Sequence, residues 1–311
     1  MMKSLIDAHI LERICEKKKR LDSIRPLSKA ALQRLKERFC VEWTYNSNAI
    51  EGNTLTLNET RLVLERGLTA GGKTLREHFE AVNHMEAIGY VESMVKSKEQ
   101  VSEDMIKKMH AIVMKGINDD EAGVYRTARV RILGAVFTPP DPVKIERLMP
   151  ELVRWINTEK VHPVELSALA HYKLVHVHPF GDGNGRTSRL LMNVVLMRCG
   201  FPPAIVLNVE RKKYYDRLKK ADQGNVKLFV NFIARCAEQS LDLYLEALEP
   251  VKEGEDKELV SLSEAARGTP YGQEYLSLLA RRGKLGAVKI SRNWMISKDD
   301  MRKYIVKVKK E

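Results

Sequence analysis

Twelve consecutive residues, His178-Pro-Phe-Gly-Asp-Gly-Asn-Gly-Arg-Thr-Ser-Arg189, bring together a proton acceptor, a carboxylate, a carboxamide, two guanidinium groups and three glycines. Such a mixture is poor material for an apolar core and good material for holding a polyphosphate. Glycine lets backbone N–H groups approach oxygen closely, the N-terminus of a following helix adds positive potential, and an arginine forks onto phosphate oxygens. Two metal readings fail on spacing. The oxygens do not fall at EF-hand positions and no glutamate closes the loop, while His171, His176 and His178 lack the His-Glu-x-x-His arrangement of a helical zinc site. Neither reading accounts for Arg186 and Arg189, three apart on one helix face.

The elements on either side must hold this loop. Leu166, Leu169, Ala170, Leu174 and Val177 recur at helical spacing behind Pro163, which suits a first helical position, so a buried helix delivers His178 at its end. Leu190, Leu191, Val194, Val195 and Met197 predict a second helix over 186–198, stopped by Gly200. Helical patterns also cover residues 1 to about 45 with a break at Pro26, residues 77–115 with Ser102 as a cap, 145–157 with Trp155 on the apolar face, and 226–248. One segment departs from them. Around Gly134 the β-branched, alternating Val130, Arg131, Ile132 and Leu133 run toward Pro139-Pro140, predicting a short hairpin over 130–138 whose unpaired edge suits an extended peptide.

Gly67-Leu-Thr-Ala-Gly-Gly-Lys-Thr74 matches the P-loop pattern letter for letter. The context does not, because Thr56-x-x-Glu59 looks like a capping box that opens a short helix ended by Gly67, where a P-loop needs a strand. A loop between helices is the expectation. Upstream, Ser47 and Glu51 are four apart and share a helix face just before the stop at Gly52-Asn53. A carboxylate at that end of a helix opposes the macrodipole and sits better beside a cation.

The chain has 311 residues, a hydrophobic share of 44% and a net charge of +12, which fits a globular protein with polyanionic partners. Cys15, Cys40, Cys199 and Cys236 form no Cys-x-x-Cys pair and are expected to be reduced, buried thiols. No window has the apolar run of a membrane span or a secretory leader, so no membrane partner and a cytoplasmic location are expected. Residues 249–256 read as a polar linker. Beyond it, residues 257–311 carry 13 Lys and Arg against 6 Asp and Glu, a net of +7, in the order helix, glycine turn, helix, two strands, helix. That outline, and the run from Ala280 to Ser297, resemble excisionase-type winged helix-turn-helix modules. DNA is one partner this implies; protein docking through the same surface is the other.

The loop from His178 to Arg189 resembles the Fic signature His-x-Phe-x-Asp/Glu-Gly-Asn-Gly-Arg-x-x-Arg, with His178, Phe180, Asp182, Gly183, Asn184, Gly185, Arg186 and Arg189 at its fixed positions. The similarity runs from about residue 40 to 240, closest to Fic enzymes with an upstream inhibitory helix, whose Ser/Thr-x-x-x-Glu-Gly/Asn motif is matched by Ser47, Glu51 and Gly52. The two resemblances together imply a mainly α fold: an N-terminal helical region over 1–100 with the inhibitory motif at 47–52, a Fic core over 101–248 with the hairpin as a target-docking flap, and, from the excisionase-type likeness, a small winged helix-turn-helix over 257–311. The Fic resemblance implies AMP transfer from ATP to a Ser, Thr or Tyr hydroxyl of a protein, with Mg²⁺ or Mn²⁺.

Under that resemblance His178 is the general base, Asp182 holds the metal, and Asn184 with the N–H groups of Gly183 and Gly185 cradles the phosphates. Arg186 and Arg189 clamp the β- and γ-phosphates. Tyr214, Tyr215 and Asp222 stand where the adenine pocket is expected, and Phe180 anchors the loop. Glu51 is expected to pair with Arg189 and hold the enzyme idle; positioning water for removal of AMP is its alternative role. Self-modification and a homodimer stay open. The alternative function is a DNA-binding regulator whose Fic-like core senses nucleotide.

Overall fold

A computed structural model describes residues 4–27, 29–97, 99–132, 137–248, 259–267, 269–281, 285, 287–290, 293–297, 300–302 and 304–305. The chain forms two compact units, Met1–Glu249 and Pro250–Glu311.

The first unit is helical. Its elements are α1 (Ala8–Ser23), α2 (Lys29–Ile50), α3 (Leu57–Arg66), α4 (Leu75–Ser97), α5 (Glu103–Met114), α6 (Ile145–Thr158), α7 (Pro163–Val177), α8 (Asn184–Arg198), α9 (Arg211–Asp222) and α10 (Val226–Leu248). Helix α8 is buried along most of its length because its apolar residues point two ways. Leu190, Leu191, Val194 and Val195 join a core with Trp43 of α2 and Met109 of α5, while Met192 and Leu196 join a second core with Ile14 of α1 and Phe229 of α10. A helix apolar on opposite faces belongs between two layers. The first core includes Leu35, Phe39 and Trp43 beside residues beyond 101, so a boundary at 100 lies inside one unit.

The local signals around α3 hold. Thr56 accepts from the Glu59 N–H, and the Glu59 carboxylate accepts from the Thr56 N–H, the reciprocal capping box. Gly67 ends the helix with φ 62°, and the segment to Thr74 is a loop leading into α4, so the P-loop match is only a match of letters.

Two expectations change. Helix α8 starts at Asn184 rather than 186, so Asn184 and Gly185 belong to its first turn. Among the four free cysteines only Cys236 is buried; Cys15 and Cys199 are exposed and Cys40 is intermediate. Of the expected hairpin, Leu133 and the turn at Gly134 lie outside the described residues, and Val130, Arg131 and Ile132 have no strand partner among the described residues. The linker expected over 249–256 lies outside them as well.

The second unit places α11 (Leu262–Arg267) and α12 (Gln273–Arg281) beside strands β1 (Leu259–Ser261), β2 (Ala287–Ile290) and β3 (Asn293–Ser297). The sheet is antiparallel in the order β1-β3-β2, with Val260 opposite Ile296 and Val288 opposite Met295. Val260, Leu262, Leu276, Leu279, Leu285 and Ile296 form its own core. No helix among the described residues is long and apolar enough to cross a membrane.

Candidate active site

His178 ends α7 in the left-handed conformation, φ 49° and ψ 59°. Only glycine adopts that region freely, so the backbone is strained here and held by its surroundings. The His178 N–H donates to the Leu174 carbonyl at 2.9 Å, and its Nδ1–H donates to the Val175 carbonyl at 3.3 Å. That tautomer leaves the Nε2 lone pair unused. Burial pushes the imidazole below its ordinary pKa, with Arg126 adding to the effect against the pull of the Val175 carbonyl, so the ring is neutral at pH 7.

The loop that follows is closed by its own side chains. The Asn184 carboxamide accepts from the Phe180 N–H at 3.0 Å and donates to the Phe180 carbonyl at 2.8 Å. Both its polar atoms are thereby used inside the loop. The Gly183 N–H donates to Asp182 Oδ1 at 2.6 Å. Asn184 and Gly183 thus shape the loop, and the Gly185 N–H is one of the first-turn N–H groups of α8 that lack an intrahelical acceptor. Phe180 is fully buried and stacks on His110, ring centres 3.7 Å apart and 2° from parallel. The Gly123 N–H donates to His110 Nδ1, so the ring proton sits on Nε2 and donates to the Asp182 carbonyl at 2.9 Å.

The two arginines part ways. Arg186 is buried with its guanidinium 3.3 Å from Glu80 and 3.6 Å from Asp182 Oδ1. It braces the Asp182 carboxylate rather than opening onto the pocket. Asp182 also accepts from Arg76 Nη2 at 2.7 Å. Burial would raise its pKa, but Arg186, the Gly183 N–H and Arg76 outweigh that and hold it below the ordinary carboxylate value. Asp182 is therefore ionised, and its side chain is half exposed.

Arg189 is 2% exposed and lies under the end of α2. Its Nε–H donates to Ser47 Oγ at 3.0 Å, and Nη2 reaches the Ser47 carbonyl and Glu51 Oε1, each at 2.8 Å. Burial opposes its charge, yet Glu51 and the neighbouring tyrosines keep it firmly protonated. Glu51 is the first residue beyond α2 and Gly52, with φ 105°, makes the turn. The α2 C-terminus is further served by Arg211, whose Nε–H donates to the Ile50 carbonyl at 2.7 Å. A Cβ at position 185 would collide with Glu51 Oε1, so the carboxylate rests directly on the Gly185 backbone.

A cavity of about 620 Å³ opens beside these groups, lined by His178, Gly185, Glu51, Tyr214, Tyr215 and Asp222 together with Ile132 and Phe137. Its volume suits a ligand of nucleotide size. Asp222 faces His176 Nδ1 at 3.6 Å; burial raises its pKa against the opposing effect of His176. The Tyr214 hydroxyl lies 2.9 Å from His171 Nε2 and accepts from Arg189 Nη1 at 3.5 Å, so this tyrosine holds the arginine as well as lining the wall. Ile132 brings the expected flap to the pocket; Val130 and Arg131 do not line it.

Sequence reasoning passed over Arg76, Glu80, His110 and Arg126, and weighed His171 only as a zinc ligand. Arg126 Nε donates to the His178 carbonyl at 2.8 Å, Nη1 to Ala128 and Nη2 to Pro140, which ties both stems of the 127–140 segment to the loop. Its partners lie up to 52 residues away, so no local spacing marks it. Arg129 and Arg131 follow it in the same run, so its residue type does not single it out either.

The family model described as "Fic/DOC family" matches residues 100–196. A protein adenylyltransferase Fic of Drosophila erecta is 43% identical over 243 residues, covering 77% of this chain and 48% of the relative. The chain thus spans about half the length of the curated relatives it matches. A Fic domain containing signaling protein from Bacteroides thetaiotaomicron superposes with a TM-score of 0.71 at 31% identity, covering 77% of this chain and 98% of that one. Fic-1 from C. elegans superposes with a TM-score of 0.70 at 36% identity, covering 77% and 72% respectively.

Proposed function

The chain belongs to the Fic/DOC family, and from that premise we propose that it is a protein adenylyltransferase held idle by its own Glu51. The observation that carries the proposal is the seat of the Glu51 carboxylate. It lies on the Gly185 backbone at the start of α8 and 2.8 Å from Arg189, an anion of the chain placed where helix N-terminus and guanidinium would take a phosphate.

In the proposed reaction the nucleoside of ATP occupies the cavity against Tyr215 and Asp222. His178 Nε2 takes the proton of an incoming Ser, Thr or Tyr hydroxyl, whose oxygen forms a bond to the α-phosphorus as the bond to the bridging oxygen of pyrophosphate breaks. Such a base is worth roughly 10²–10⁴ in rate. The Gly185 N–H and the α8 N-terminus face charge that develops on the α-phosphate, and Arg189 takes the terminal phosphates once Glu51 leaves. In this reading the segment that contributes Ile132 and Phe137 to the pocket lining holds the target.

Asp182 fits a hard cation. It is ionised, half exposed and balanced now by Arg76, and a cation that keeps water and phosphate ligands needs only one or two carboxylates. Bound Mg²⁺, or Mn²⁺ in its place, would neutralise charge on the leaving pyrophosphate. The test of the whole reading is Glu51→Gly with labelled ATP: incorporated AMP supports it, and no incorporation on any target or on the chain itself overturns it.

A second reading concerns residues 257–311. Two helices packed on an antiparallel β1-β3-β2 sheet with its own core support a winged helix-turn-helix, and the net +7 supports a polyanion such as DNA. This role is compatible with the enzyme.

A further inference from the structure

We propose that Tyr214 and His171 form a positioning relay that keeps Arg189 aimed at the terminal phosphates of the nucleotide after Glu51 withdraws. This rests on the reading of the cavity as a nucleoside triphosphate site. Three of the contacts on the Arg189 guanidinium come from α2 and the turn after it: Ser47 Oγ at 3.0 Å, the Ser47 carbonyl at 2.8 Å and Glu51 Oε1 at 2.8 Å. Tyr214, on α9, is the partner among the described residues that the inhibitory segment does not supply. An incoming phosphate competes with Glu51 for the same guanidinium. The 3.5 Å contact to Tyr214 survives that exchange, as the two to Ser47 do, and it holds Nη1 from the α9 side while Ser47 holds Nε and Nη2.

The direction of the relay follows from donor chemistry. A guanidinium only donates, so the Tyr214 oxygen accepts from Arg189 Nη1. The phenolic proton then goes to His171 Nε2 at 2.9 Å, which places the imidazole proton on Nδ1. Burial, with Arg189 close by, pushes His171 down to about 3, so the ring stays neutral and accepting at any working pH. Burial raises the Tyr214 hydroxyl, which therefore keeps its proton. Both residues are 1% exposed or less, and His171 packs its ring 5.2 Å from that of Phe229. His171 Nδ1 has no hydrogen-bond partner among the described residues. A buried polar group left unpaired is uncommon, and a purely apolar residue would fill the same place without that penalty. The polar pair makes sense as a device for orienting a charge.

The test uses the full chain in the Glu51→Gly background, with binding of ATP and AMP measured by calorimetry. Tyr214→Phe keeps the packing and removes the hydroxyl. The expected result is ATP affinity weakened about tenfold, the loss of one hydrogen bond to a charged group, with AMP affinity within about twofold, because AMP has no terminal phosphates for Arg189 to hold. His171→Leu should give a smaller loss of the same kind, since Tyr214 stays but loses its anchor. In an Arg189→Lys, Glu51→Gly protein, Tyr214→Phe should have no further effect on ATP. Equal weakening of ATP and AMP would overturn the relay and leave Tyr214 as a wall of the base pocket, and so would an unchanged ATP affinity. Absence of ATP binding to the Glu51→Gly protein itself would overturn the nucleotide reading and the relay with it.

Discussion

Glu51 Oε1 lies 2.8 Å from Arg189 Nη2, a guanidinium 2% exposed and otherwise enclosed by Ser47 and Tyr214. The ion pair joins the end of α2 to the buried helix that begins at the site. Glu51 itself is 32% exposed on its side chain, so solvent can reach the carboxylate that covers the arginine. On the proposed function the pair is a contact that an incoming phosphate exchanges.

Replacing Glu51 by glycine should raise AMP incorporation at least tenfold, read by intact mass. The same variant should be less stable without nucleotide by about 1–3 kcal/mol, less than for a fully buried pair because the partner is partly solvated. Saturating ATP at about 100 times its Kd should restore about 2.7 kcal/mol, read as a rise in Tm. A variant that melts as the parent does, with or without ATP, would show that Arg189 is not held by Glu51.

His178→Ala in the Glu51→Gly background should lower transfer by at least about 10² while ATP affinity stays within about twofold, because the imidazole serves the hydroxyl and not the phosphates. Retained transfer would remove His178 from the base role.

The pH profile has a defined sign. His178 must be neutral to accept a proton, and its pKa lies below the ordinary 6.5. Transfer by the Glu51→Gly protein should be flat from neutral pH down to that region and fall as pH drops through the lowered value. Stability should fall in the same direction for a separate reason. Burial holds His84 down to about 3, His110 to about 4 and His171 to about 3, so the unfolded chain binds more protons below pH 6.5. Their contribution is present above about 6.5 and is lost as pH falls toward the folded values. Melting curves at each pH separate the two effects, and a rate that rose on acidification would contradict the neutral-base assignment.

Arg126→Ala should leave the carbonyls of His178, Ala128 and Pro140 without this donor and cost about 1–3 kcal/mol. Hydrogen exchange should rise over 124–132 and 137–141, and transfer to a protein target should fall more than ATP affinity. Equal loss of both would mean that Arg126 supports the pocket as a whole rather than the target-facing segment.

For the second unit, the full chain should bind duplex DNA with an affinity that falls steeply as salt rises from 50 to 200 mM, as counterion release requires. Binding that is absent, or indifferent to salt, would leave the basic surface to a protein partner.

The chemistry of this protein was legible in its sequence where the relevant residues are neighbours. His178 to Arg189 are contiguous, so their spacing alone shows a proton acceptor, a carboxylate and a helix start in one loop. The capping box at Thr56 and Glu59 and the stop at Gly67 are equally local, and both formed as read. The carboxylate of Glu51 at a helix end already called for a cation, and the family resemblance pointed to Arg189. What adjacency cannot show is which polar groups are consumed within the fold. Asn184 spends its carboxamide on Phe180, as buried polar groups generally find a partner, and Arg186 lies within ion-pair distance of Glu80 and Asp182. Arg76 meets Asp182 across 106 residues, and His171 meets Tyr214 across 43. No periodicity encodes such pairs, since they arise where α4, α7, α8 and α9 converge. The sequence determined which chemistry the loop can do; the packing of those helices decided which partners hold each arginine.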